Sequence, residues 1–182
     1  MQNFNAQLLF DRMMGAARLD VTTYEDVERD QNATVQALIV VTLAAIAAGI
    51  GTLNSDGGTG FLAGLVGGVL GWAVYSVSAY VIGARLFPTQ STQADTGQLL
   101  RTLGFANTPR LLFAAGFIPF LGGLISFVAL IWWIVASVIA LKQSLEMNTG
   151  RAIITGLLAL IPFAIIMSIF FWIFGVSPPG NS

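Results

Sequence analysis

From Gln98 to Leu141 the chain stays apolar for about two membrane thicknesses, and its only internal charges, Arg101 and Arg110, come early in the stretch. A spanning helix takes ~20 residues at 1.5 Å rise to cross ~30 Å of hydrocarbon, so this length reads as a membrane hairpin. The rest of the chain agrees: 55% of its 182 residues are hydrophobic and 9% charged, against about 25% charged in soluble domains. A water-soluble core of this size cannot hide so much apolar surface.

Residues 34–53 form the first uninterrupted apolar run, closed by the turn-forming set Asn54-Ser55-Asp56-Gly57-Gly58. Residues 61–83 form the second, in which Gly64, Gly67, Gly68 and Gly71 give overlapping small-xxx-small spacings that allow close helix contact, within the monomer or between copies. The third, 99–118, is interrupted at Asn107-Thr108-Pro109, because proline removes a donor and clashes with the carbonyl four residues back. Either the helix kinks there, or an interfacial helix ends near Ala106 and a short span begins at Pro109. Pro119, Gly122 and Gly123 turn the chain into the fourth run, 124–141, and the fifth, 152–174, bends at Pro162. Asp95 with Gln98 three residues on predicts a helix cap.

The predicted fold is an all-α integral membrane protein: five transmembrane helices in a compact bundle, 23–174, preceded by an amphipathic segment, 1–22, and followed by a short tail, 175–182. In the N-terminal segment Asn3, Gln7, Asp11, Gly15 and Arg18 fall on one helical face, with Phe4, Leu8, Leu9, Met13, Ala16 and Leu19 covering much of the rest. That pattern suits a helix in the interface, lying on lipid or packed on the bundle. Thr22 with Glu25 makes a possible capping box for a helix that starts near Thr23 and feeds directly into the first span. The acids after Tyr24 then read as a solvated helix start, the alternative being a cation or a basic partner. No signal-peptide pattern opens the sequence.

Basic residues concentrate on the cytoplasmic side. With five spans and the N-terminus inside, Arg12, Arg18, Arg29, Arg85, Arg101, Lys142 and Arg151 are all cytoplasmic and the C-terminus is outside. If 99–118 did not cross, Lys142 and Arg151 would move outside, which disfavours four spans.

The chain has no Cys and no His, so thiolate chemistry and the commonest acid/base group and metal ligand are missing. No phosphate-binding loop, HExxH or nucleophile elbow occurs, and no catalytic residue, metal ligand or cofactor site is assigned. A net charge of -1 without a basic block argues against nucleic acid. Arg110 is the one charge inside a plausible span; it either lines a polar cavity or reaches cytoplasmic headgroups from beside Pro109. Trp72, Trp132 and Trp133 fall mid-span, filling space between helices or lining a cavity. Phe170, Phe171, Trp172 and Phe174 look like an interfacial anchor.

Gly104-Phe105-Ala106-Asn107-Thr108-Pro109-Arg110 resembles the Gly-aromatic-small-x-x-Pro signature of the Yip family, the Ypt/Rab-interacting membrane proteins. Tyr24-Glu25 ahead of the first span, Ile131-Trp132, Ala140-Leu141-Lys142 and Arg151-Ala152 are similar to prokaryotic members. The resemblance implies a five-span domain with a cytoplasmic N-terminus, and marks Gly104, Phe105, Pro109, Arg110, Tyr24 and Glu25 as candidate functional positions. Eukaryotic relatives are tied to vesicle trafficking and prenylated Rab GTPases. Here the Asp-Leu-Tyr-Gly-Pro element is missing and Phe105 replaces the common Tyr, which argues against a Rab-type partner and for a prokaryotic cytoplasmic membrane.

The function expected is therefore non-enzymatic: contacts with lipid, with a second copy or with another membrane protein, in membrane organisation or trafficking. The alternative is a small-solute or ion permease or channel component with a polar cavity near Arg110.

Overall fold

In a computed structural model the described residues are 5–51, 59–88 and 94–173, and among them the fold is all helical. Seven α-helices follow in order: α1 (Ala6–Ala17), α2 (Val21–Arg29), α3 (Ala33–Gly51), α4 (Thr59–Tyr80), α5 (Thr96–Phe105), α6 (Gly122–Ser144) and α7 (Thr149–Ile173). A π-helical turn, Val81–Leu86, continues α4, and a 3₁₀ helix, Thr108–Phe117, continues the chain after α5. The turn set 54–58, Phe174 and the tail lie outside the described residues, as do Asn3 and Phe4.

Four helices, within α3, α4, α6 and α7, are long and apolar enough to cross a membrane. The third span expected from sequence is not one of them. The chain there is α5, a short break and the 3₁₀ helix, so of the two readings of Asn107-Thr108-Pro109 the ended helix is the one found. This segment nevertheless follows α3 from end to end. A Cβ on Gly104 would lie 2.6 Å from the Ala37 Cβ at one end, and one on Gly116 would lie 3.2 Å from the Gly51 carbonyl at the other. Because a 3₁₀ helix rises ~2.0 Å per residue against 1.5 Å in an α-helix, thirteen residues here run beside fifteen of α3. The segment then returns through Ile118–Leu121, where Phe120 is fully exposed at φ 65°, into α6.

Two further expectations are corrected. The helix before the first span starts at Val21, close to where it was expected, but it is not capped by Thr22 and does not run into that span. Asp20 caps α2 by accepting the Thr22 N–H at 3.0 Å, and Asp30 ends it by turning its carboxylate onto the Asn32 N–H at 2.9 Å. Side chains of this type offer the backbone a turn in place of another helical bond. The Asp95 cap is found as predicted, with Asp95 accepting from the Gln98 N–H at 2.9 Å and Gln98 accepting from the Asp95 N–H at 2.6 Å.

α1, α2 and α5 gather at one end of the bundle and form a cap. In α6 the residues that meet it, Ala136, Ser137, Ala140, Leu141 and Ser144, are buried, whereas Phe127, Ile131, Ile134 and Val135 are exposed. The mid-span tryptophans fasten cap to bundle: Trp72 Nε1 donates to the Leu100 carbonyl at 3.1 Å and Trp132 Nε1 to the Ala17 carbonyl at 2.8 Å. α1 buries Leu9, Arg12 and Ala16 against the fold and exposes Leu8, Phe10 and Met14.

The glycines of α4 do not share one neighbour. A Cβ on Gly68 would stand 2.9 Å from the Ala45 Cβ of α3, one on Gly71 3.2 Å from the Phe163 ring of α7, and one on Gly64 in open space; Gly67 is partly exposed. Gly68→Leu is expected to push α3 from α4 and cost about 1–3 kcal/mol, as overpacking does. Unchanged thermal stability in detergent would show that this contact does not hold the helices together.

Candidate functional site

The break at Asn107-Thr108-Pro109 is built by local chemistry. Pro109 has no N–H to give the Phe105 carbonyl, and the Thr108 hydroxyl donates to that oxygen instead, at 2.7 Å. Asn107 does the same for Leu103, whose carbonyl accepts the side-chain amide at 2.8 Å. The chain thus leaves the α-helix without stranding the buried carbonyls of its last turn. Gly104, Phe105 and Pro109 are all buried there. At Gly104 the backbones of α3 and α5 come close, since a side chain would strike both Cβ and Cα of Ala37.

Arg110 is the first cation after the break. Its Nη1 donates to the Asn107 Oδ1 at 2.8 Å. The guanidinium lies over two rings, with Cζ 5.0 Å from the Trp133 centroid and 5.7 Å from that of Phe113. These are distances at which ring quadrupoles attract a cation. Its Nε is buried without a partner among the described residues. A cavity of about 240 Å³ opens farther along the 3₁₀ helix, lined by Ala48, Gly51, Phe113, Gly116 and Ser126, with Ser126 the one polar side chain among them.

Tyr24 and Phe105 belong to the same buried cluster in the cap. The Tyr24 hydroxyl donates to the Ala16 carbonyl at 3.2 Å, tying α2 to α1. Glu25 is set apart from them, facing Arg29 at 3.5 Å on the surface. Sequence grouped Glu25 with Tyr24; the fold buries one and leaves the other at the water.

The strongest polar contacts of the cap involve residues that sequence treated only as topology markers. Arg12 is buried, and its Nε and Nη2 each reach a carboxylate, Asp26 and Asp30, at 2.8 Å, while Nη1 donates to Gln36 at 2.7 Å. The acidic run after Tyr24 therefore has a partner within the chain. Arg101 donates through Nε to the Val27 and Glu28 carbonyls at 3.0 and 3.2 Å, closing the C-terminal end of α2. Gln98 adds a 3.2 Å bond to the Glu28 carboxylate, and Thr102 meets Ser144 at 2.7 Å. The signal that marks Asp26 and Asp30 is their spacing of four, which puts two acids on one helical face.

Burial raises the Asp30 carboxyl, but the bonds from Arg12 and Asn32 outweigh it and hold the group below its ordinary value. A depressed folded value contributes stability that is present above the ordinary aspartate range and lost as pH falls through the folded one. Burial pushes the Tyr24 phenol up. The neutral phenol then favours folding below its ordinary value of about 10, and that contribution fades as pH rises beyond it. Tyr24→Phe is expected to cost about 1 kcal/mol at neutral pH and to reduce the loss of stability above pH ~10, read by thermal melting across pH. An alkaline limb of the same depth in the variant would contradict this.

Among the described residues no three His, Cys, Asp or Glu come together in a way that could hold a metal ion. Arg110 stays protonated and offers recognition of negative charge, not proton transfer. No curated protein and no solved structure matches the chain. The Yip1 domain family model matches residues 21–173, from the first residue of α2 to the last of α7. A match of that extent, over a bundle whose long apolar helices suit a bilayer, means that this integral membrane protein belongs to the Yip1 domain family.

Proposed function

We propose that the protein is a non-enzymatic component of a prokaryotic cytoplasmic membrane that works by contact with neighbouring membrane proteins or with a second copy of itself. Its chain crosses five times, the third crossing being the α5 and 3₁₀ segment beside α3, with the cap in the cytoplasm and the C-terminus outside. The observation that carries this reading is the division of its surfaces. Arg12, Arg101, Asp26 and Asp30 bond within the cap and Thr102 bonds Ser144 at its seam with α6, whereas α6 and α7 present apolar rows such as Phe127, Ile131, Ile134 and Leu157, Ile161, Ile165 to their surroundings. Such a surface suits lipid and protein neighbours alike, and Gly64, open on α4, adds a place where another helix can approach closely. A Rab-type GTPase is not part of this reading.

The test is a photo-crosslinking residue placed at Ile131 or Leu157, positions 47% and 61% exposed, in native membranes. Adducts with a membrane protein or a second copy are expected. A protein that remains monomeric at every exposed position of both helices would contradict the proposal.

A further inference from the structure

We propose that Arg110 and the cleft beside the 3₁₀ helix form a binding site for one phospholipid, with its phosphate on the guanidinium and an acyl chain in the cleft. This goes beyond the contacts proposed above and does not depend on them.

Two separate observations meet at this place. The first is an incomplete guanidinium. Nη1 is engaged by Asn107, and Nε is buried with no partner among the described residues. Nε and Nη2 make up the edge of an arginine that holds a carboxylate or phosphate through two parallel bonds. Arg12 uses that edge on Asp26 and Asp30. A buried donor left unpaired is costly, and the Arg110 guanidinium carbon lies 5.0 and 5.7 Å from the Trp133 and Phe113 ring centroids.

The second is the cleft itself, about 240 Å³ and lined by Ala48, Gly51, Phe113, Gly116 and Ser126. Side chains three apart in a 3₁₀ helix stand in one row, so Arg110, Phe113 and Gly116 form a track ~12 Å long at ~2.0 Å per residue. Phe113 serves both ends, stacking on the guanidinium and lining the cleft. At the far end Gly116 lies against the Gly51 backbone, which a side chain there would meet at 3.2 Å, and both residues line the cleft. A ligand complementary to this track has an anionic head and an apolar tail.

The depth is suitable. Trp132 bonds the last residue of α1, and the adjacent Trp133 lies over Arg110, so the guanidinium sits where the cap meets the spans. This is the level at which amphipathic helices lie among headgroups. From there the cleft leads away from the cap, as an acyl chain leads away from its phosphate.

Native mass spectrometry of the full chain in detergent, titrated with phosphatidylglycerol, reads retention of a single lipid. Arg110→Gln is expected to weaken retention by roughly tenfold or more, the effect of losing a charge-assisted bond. Arg110→Lys is expected to recover part of it, and Ser126→Phe, which fills the cleft without touching the guanidinium, to weaken it comparably. Thermal melting shows that each variant is folded, and Ser126→Phe keeps the test open where Arg110→Gln fails to fold. Equal retention by the native chain and both variants would overturn the proposal. A loss confined to Arg110→Gln would overturn the acyl half. Inorganic phosphate that stabilises the native chain and Ser126→Phe alike would overturn the lipid assignment in favour of a free-anion site.

Discussion

Arg12→Met is expected to lower stability by about 3 kcal/mol, because it takes one cation from two carboxylates and a buried amide at once. The side chain is 6% exposed, while those of Asp26 and Asp30 are 56% and 28% exposed, so water recovers part of the loss on the acidic side. The damage should be local first. α1 lies ahead of the family-matched residues and is held by Arg12, by Tyr24 and by Trp132. Hydrogen exchange is therefore expected to show α1 and α2 losing protection before α6 and α7 do. An Arg12→Met protein with native exchange in α1 would mean that apolar packing with the Tyr24 and Trp132 bonds holds α1 without the arginine. Asp26→Asn with Asp30→Asn, combined with Arg12→Met, should cost less than the sum of the separate changes.

Gly104→Leu is expected to be at least as harmful, costing about 3 kcal/mol or preventing assembly, since the obstacle is not a flexible side chain but the Ala37 Cβ and Cα. Gly104→Ala should cost less, and Ala37→Gly should restore part of that loss by removing the atom its Cβ would meet. Melting temperatures of the single and double variants in detergent measure this compensation. Additive losses would show that α3 and α5 are not in register at this pair.

Much of this architecture was readable because membranes leave the backbone few choices. Long apolar runs gave α3, α4, α6 and α7 with ends within a few residues, and Asp95 with Gln98 gave the start of α5. What escaped was set by contacts distant in sequence. Arg12 counted as one more cytoplasmic charge, because nothing in its own helix shows that two acids and a glutamine wait on α2 and α3. Thr22 with Glu25 has the spacing of a capping box, but spacing alone does not reveal which oxygen reaches an N–H, and Asp20 is the residue that caps. Asn107-Thr108-Pro109 was visible as a break, but the 3₁₀ form that follows depends on Thr108 and Asn107 satisfying carbonyls of the preceding turn. The mid-span tryptophans were legible as residues out of place; their hydrogen bonds to Ala17 and Leu100 supply the reason, since each ties a cap helix to a span.

The candidate positions divide along the same line. Gly104, Phe105 and Tyr24 have structural work in the cap, Pro109 has it at the break that follows, Glu25 stays at the surface, and the Arg110 Nε is buried with no partner among the described residues. Aromatic packing on Trp133 and Phe113 explains how such a cation is held at that depth.

The most direct measurement places reporters that are active only outside the cytoplasm at the two ends of the chain, in whole cells. Five crossings, with the 3₁₀ segment carrying the chain through the membrane beside α3, require an active reporter after Ser182 and a silent one before Met1. Both reporters silent, or both active, would put the termini on one side and leave the four long helices as the only crossings.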